Sequence, residues 1–329
     1  MRYLRINDAA FSKLVLGTDF FGDKISVETA FKMMDVYTEM GGNTLDTAHV
    51  YGMWTEAGLP YSEILVGLWM KDRKNRDKIL LSTKGGHFPL GHPEQRRLDR
   101  ASIESDLNAS LKILGTDYVD MYWLHRDDES RPVEEICETL NDIVKTGKAR
   151  LVGVSNWHHE RIEAFQAYAR EKHLTHLAAS QMQWSLAYTT PELHGDTTQF
   201  FMTPSEYDWY CTSGLPVFGF SSQAKGFFAK GALGLDHLSE RARHRYLNEE
   251  NLQKLERVKE IAHQKGVSVT SVVLAYITCN MVPASAIFSS SNIEQLRDSM
   301  QAADVVLSQE EVSYLYQGNA GCTHECAFS

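Results

Sequence analysis

Tyr118-Val119-Asp120-Met121-Tyr122-Trp123-Leu124-His125, then a helical pattern over 133–147, then Leu151-Val152-Gly153-Val154-Ser155-Asn156 form one strand–helix–strand unit. The two strands are largely continuous apolar runs, as expected when both faces of a parallel strand are covered. Working outward, similar runs occupy 14–18, 43–48, 79–84, 177–184, 215–221 and 285–289, which makes eight with 118–125 and 150–156. Helical patterns lie between them over 27–40, 61–71, 100–115, 160–172, 248–266 and 292–302, and only the interval 192–213 is poorly periodic. Eight strand–helix units favour an α/β chain closed as a (β/α)8 TIM barrel. A doubly wound sheet would want a glycine-rich phosphate loop after its first strand, and Leu16-Gly17-Thr18-Asp19-Phe20-Phe21-Gly22 does not match G-x-G-x-x-G.

No low-complexity linker or composition shift interrupts the 329 residues, so one barrel domain over 1–329 is expected, with loop insertions near 85–99 and 192–213 and a C-terminal tail over 318–329. Lys and Arg number 33 against 43 Asp and Glu, a formal charge of −10. That balance argues against a protein that grips nucleic acid or an anionic membrane surface. The N-terminal stretch lacks a signal-peptide apolar run and no window approaches a bilayer span, so a cytoplasmic location is expected. Five sparse cysteines suit free thiols in a reducing compartment.

In a barrel, functional residues belong at the C-terminal ends of the strands. The second strand ends Leu45-Asp46-Thr47-Ala48 and runs into His49-Val50-Tyr51-Gly52; the third ends Ser82-Thr83-Lys84; the fourth ends Trp123-Leu124-His125. Singly, each has a bland reading as a cap, packing or solvated rim residue. Together they suit proton transfer. A phenol is a poor acid at neutral pH, and an adjacent ammonium favours its phenolate; an aspartate would hold that ammonium charged, and a neutral imidazole could donate to a carbonyl oxygen. The quartet offers neither an activated nucleophile nor a metal cage.

These stretches resemble the aldo-keto reductases: Asp46-Thr47-Ala48-x-x-Tyr51-Gly52, Ser82-Thr83-Lys84, Tyr118-Val119-Asp120-x-Tyr122-x-Leu124-His125 and Gly153-Val154-Ser155-Asn156 stand in the family's order, and the resemblance covers nearly the whole chain. It implies a nicotinamide-dependent reductase with Tyr51 as general acid, Lys84 and Asp46 as its tuning pair and His125 as the donor that orients the carbonyl. It also implies Ser155, Asn156 and Gln181 as partners of the nicotinamide carboxamide, with a helix N-cap as the competing reading of Ser155-Asn156 taken alone. Phe220 falls at the family's stacking position, where relatives commonly have Tyr or Trp, and Ser221, Ser222, Ala224 and Gly226 are small enough for close approach to a pyrophosphate, with Lys225 adding charge. Gly17 and Thr18 after the first strand, and Ser289, Ser290, Gln295 and Asp298 after the eighth, complete the implied cofactor set.

The segment after the eighth strand departs from the family. Where a cationic cluster usually clamps the 2′-phosphate of NADP, this chain has Ser289-Ser290-Ser291 and Gln295, with only Arg297 to compensate. A charge-assisted phosphate contact contributes about 1.5–3 kcal/mol, so the preference for NADP is expected to be weakened and NAD use is plausible. Asp19, Trp54 and His125 are the expected substrate-pocket residues, and Tyr207, Trp209 and Tyr210 of the 192–213 insertion suit stacking on a sugar, covering the barrel or a subunit contact. The tail carries Cys322-x3-Cys326 around His324, short of four zinc ligands, and reads as a lid or free end. The expected partner is a small-molecule carbonyl or sugar substrate, and the oligomeric state is left open. Two other readings stand beside the reductase: a cofactor-binding regulatory subunit with little turnover, and a barrel hydrolase or lyase, which would need a second carboxylate facing Asp46.

Overall fold

The computed structural model describes residues 1–318, so the tail motif of Cys322, His324 and Cys326 lies outside the described residues. Eight parallel strands close into a barrel: β3 (Leu14–Gly17), β4 (Thr44–Asp46), β5 (Leu80–Gly85), β6 (Val119–Leu124), β7 (Ala149–Ser155), β8 (Ala179–Gln183), β9 (Val217–Phe220) and β10 (Ala284–Phe288), with β10 pairing back to β3. All eight strand positions expected from the apolar runs are occupied. Every residue of β6, β8 and β10 is buried, the signature of strands covered on both faces.

Parallel register brings the strand ends level at one rim. Gly17 pairs with Asp46, Asp46 with Ser82, Lys84 with Trp123, Ser155 with Gln181 and Gln183 with Phe220. The other end is plugged by an antiparallel hairpin, β1 (Tyr3–Ile6) and β2 (Ala9–Ser12), whose Asn7 adopts φ 51° at the turn. Its Leu4, Ile6 and Phe11 pack with Val15, Met121, Trp123, Phe218 and Ile287 inside the barrel. Cleft chemistry is thereby left to the C-terminal rim.

The outer helices start and stop on local signals. Ser26, Asp99, Asn248, Ser268, Asn292 and Ser308 each accept a hydrogen bond from a first-turn backbone N–H, and Ser308 with Glu311 forms a capping box. The helix Val269–Thr278 escapes a periodicity search because eight of its ten residues are buried, which erases the amphipathic stripe.

Both expected insertions are held down. In the first, Arg97 pairs with Asp106 at 2.6 Å and the Gly86 N–H donates to the same carboxylate at 2.9 Å. The second contains the short helix Pro191–His194 and the helix Pro204–Ser213. Its aromatics pack and do not face the cleft: Tyr210 is fully buried, Tyr207 donates to Asn280 Oδ1 at 2.7 Å and Trp209 Nε1 donates to Glu163 at 2.6 Å. The sugar-stacking reading of these rings is therefore corrected to cover of the barrel.

Candidate active site

Asp46 ends β4, Lys84 stands next to last in β5, His125 follows β6, and Tyr51 lies in a tight turn where its N–H donates to Ala48 O at 3.0 Å. Lys84 Nζ donates to Asp46 Oδ2 at 2.5 Å, to Thr47 O at 2.9 Å and to the Tyr51 hydroxyl at 3.1 Å. Asp46 Oδ1 accepts from Ser82 Oγ at 2.7 Å and from Gln181 Nε2 at 3.1 Å. The aspartate is thus fully engaged as the anchor of an ammonium, and the ammonium is aimed at a phenol.

The His125 ring meets the Tyr51 ring edge-on, with centroids 5.7 Å apart. Its Nδ1 is buried without a hydrogen-bond partner among the described residues. The tautomer with its proton on Nε2 avoids burying an unpaired N–H. Burial, reinforced by His87, Arg126 and Lys84, holds the imidazole pKa well below 6.5, so the ring is neutral at physiological pH. His87, from the 85–99 insertion, lies with its ring centroid 4.8 Å from that of His125; burial and Arg126 push its own pKa down to about 4.

Electrostatics at the phenol differ from the simple expectation of a lysine-lowered pKa. Burial raises the Tyr51 pKa, Lys84 opposes it, and the carboxylates of Asp46 and Asp19 add to the rise, so the net shift is upward. Lys84 remains firmly charged, because Asp46 and Tyr51 outweigh the cost of its burial.

A cleft of about 730 Å³ runs from this group across the rim. It is lined by Gly17, Asp19, Asp46, Tyr51, His125, Ser155, Asn156, Gln181, Phe220, Ser221, Ser222, Gly226, Ser289, Ser290, Gln295 and Asp298, so most of the expected site residues are brought together. Asn156 does not cap a helix: its Nδ2 donates to His125 O at 3.1 Å and its Oδ1 accepts from Phe200 N at 2.9 Å, while the N-cap of the next helix is His158. Gln295 Oε1 folds back to accept from Ser291 N at 3.0 Å.

Besides the fully buried Lys84, three expected residues do not line the cleft. Thr18 is fully buried and bonds Asp46 O and Ser62 Oγ, so it braces the β3 end and makes no wall. Ala224 is fully buried in the core. Trp54 is 43% exposed, stands 6.0 Å from the Tyr51 ring and donates Nε1 to Asp23 at 3.0 Å, outside the cleft wall.

Of the cations on the cleft wall, sequence reasoning named Lys225 and missed Lys24, Lys230, Arg241 and Arg245. Lys24, Lys225, Lys230, Arg241 and Arg245 line it, four of them from the crossover after β9 and none from the serine-rich segment after β10. Burial lowers the Lys225 pKa, and Arg245, Arg241 and Lys24 depress it further, with Asp19 opposing. Burial and Arg241 likewise depress Arg245. Mutually repelling, partly dehydrated cations in one groove call for an anion. Ser290 Oγ, buried and without a hydrogen-bond partner among the described residues, adds an unused donor in the same groove. The clustering of Lys and Arg over 225–245 in a chain of charge −10 was the available signal.

Residues 13–319 match the model of the Aldo/keto reductase family. The chain belongs to the aldo/keto reductase family, whose members are oxidoreductases acting on small-molecule carbonyls. It is 30% identical over 332 residues to the uncharacterized oxidoreductase YrpG of Bacillus subtilis (strain 168), which spans 98% of both chains. It is 29% identical over 318 residues to the norsolorinic acid reductase of Aspergillus flavus, covering 92% of this chain and 76% of that one. The crystal structure of the thermostable aldo-keto reductase Tm1743 in complex with the inhibitor epalrestat shares the fold, with a TM-score of 0.70 and 23% identity over 98% of this chain and all of that one.

Proposed function

We propose that this chain reduces an aldehyde or ketone with a nicotinamide cofactor, with Tyr51 as the proton donor. The observation that carries the reading is Lys84 Nζ, held by Asp46 at 2.5 Å while it donates to the Tyr51 hydroxyl at 3.1 Å beside the neutral His125. When bound, a reduced nicotinamide supplies the hydride. Tyr51 then delivers a proton to the developing alkoxide, and Lys84 stabilises the phenolate left behind. His125 donates to the carbonyl oxygen and orients it.

The residues present fit such a cofactor. Ser155, Asn156 and Gln181 would hold the carboxamide, Phe220 would stack on the nicotinamide ring, and the small-residue stretch Ser221, Ser222 and Gly226 would border the pyrophosphate. Lys225, Lys230, Arg241 and Arg245 supply phosphate-binding charge that the segment after β10 lacks. Ser289, Ser290, Gln295 and Asp298 are left for the adenosine end, where NADP and NAD differ. This arrangement supports use of either cofactor, because hydroxyls and amides border that end while the cations lie on the preceding crossover.

Tyr51→Phe tests the assignment. Turnover with a panel of aldehydes, ketones and sugars is expected to fall by about 10²–10⁴, while NADPH and NADH titrations stay close to wild type. Wild-type turnover in the variant would sink the role given to the phenol. Measurable turnover in the parent chain decides against a purely regulatory subunit.

A further inference from the structure

The helices His159–Lys172 and Pro204–Ser213 start side by side, joined by the 2.7 Å contact between His159 Nδ1 and Glu206 Oε1. Ligand atoms of His158, Glu160 and Glu206 lie there within 4.8 Å of one another. We propose that these three residues bind a divalent transition-metal ion such as zinc, independently of the nicotinamide site.

Glu206 is the unusual member. It is 2% exposed, yet its Oε2 is buried with no hydrogen-bond partner among the described residues. Its Oε1 is already held, 2.7 Å from His159 Nδ1 and 3.8 Å from His158 Nδ1. A buried carboxylate with one oxygen oriented by an imidazole and the other bare is a half-built ligand with its outer hydrogen bond in place. His158 occupies the N-cap of its helix but makes no capping bond; its ring packs on Phe200, and its Nδ1 stands 3.8 Å from Glu206 Oε1, beyond hydrogen-bond distance. Glu160, in the first turn, is exposed and adds a second negative charge.

Donor atoms around a tetrahedral zinc stand about 3.3 Å apart, so the set must contract by roughly 1.5 Å. The two mobile members supply that movement: His158 and Glu160 side chains are 56% and 70% exposed. Two carboxylates and an imidazole suit zinc, cobalt or nickel, with water completing the shell.

Binding there would staple the two helix starts and tighten the strap between them. That strap reaches the cleft: Phe200 packs its ring 3.7 Å from His158 and donates its N–H to Asn156, and Thr198 and Asp196 accept from Arg126.

The test is titration of the metal-free full-length protein with zinc chloride by calorimetry, and with cobalt chloride by absorption. The expected result is about one tight ion per chain and a cobalt spectrum without a thiolate charge-transfer band. Metal should raise the thermal midpoint and slow proteolytic cleavage between 195 and 203. His158→Ala, which removes no hydrogen bond of the fold, should weaken binding by roughly tenfold or more, and Glu206→Gln should do the same. No binding, unchanged affinity in His158→Ala, or a thiolate band that would assign the ion to Cys322 and Cys326, would overturn the proposal.

Discussion

At the residue scale, Tyr51 and His125 carry opposite consequences of the same burial. Dehydration disfavours the charged form of each, so the phenol titrates higher than its usual 10.0 and the imidazole far lower than its usual 6.5. In the proposed roles, reduction needs a protonated phenol and a neutral imidazole. Both are present throughout the neutral range, so kcat for reduction should stay flat from weakly acidic pH to beyond neutrality, with no inflection near 6.5. Oxidation of the alcohol needs the phenolate, so its rate should climb with pH without levelling off below 10.0. A reduction profile that breaks near 6.5 would show that His125 titrates with an ordinary pKa. The quartet was legible because each member stands at or just after a strand end, where sequence position and spatial position coincide. Lys230, Arg241 and Arg245 were not, because a long crossover between β9 and β10 conceals which of its residues turn back over the rim.

At the element scale, β7 shows how tightly strand sequence is constrained by what leans on it. A Cβ at Gly153 would stand 2.4 Å from Trp123 Cζ3 and 2.7 Å from Ala179 O, the latter a backbone atom of the neighbouring strand that cannot step aside cheaply. Gly153→Ala is expected to cost about 1–3 kcal/mol through overpacking, read as a lower urea midpoint at unchanged m-value. It should also perturb Ser155, which ends the same strand, and Asn156, the residue after it. The strands themselves were readable as apolar runs, but two kinds of element were not. Val269–Thr278 is apolar all round and so has no period to find. In the 192–213 interval, aromatic rings next to polar groups suit a ligand or a packed layer equally well, and only their three-dimensional neighbours decide between them.

At the scale of the whole molecule, the hairpin at the closed end does for the barrel floor what the insertions do for its rim. Its Leu4, Ile6 and Phe11 cover Trp123 and Phe218, and Arg2 ties it to the opposite end of the chain through Thr278 Oγ1 at 2.8 Å and Val305 O at 2.9 Å. Removing residues 1–12 strips that cover and should lower the thermal midpoint and enhance binding of a hydrophobic dye such as ANS. Unaltered melting would show that the floor is sealed from within. The alternation Tyr3-Leu4-Arg5-Ile6 followed by Asn7-Asp8 carried a hairpin signal in the sequence, one easily passed over when attention is on longer runs.

The bond from Gln181 Nε2 to Asp46 Oδ1 joins β8 to β4 across the barrel interior, between residues 135 positions apart. Asp46 cannot reach its full set of partners until strands from both halves of the chain stand in one ring, and the ring itself is completed only when β10 docks on β3. Contacts so distant in sequence form late. In the proposed mechanism, recovery of turnover after dilution from denaturant is therefore expected to lag the return of helical signal.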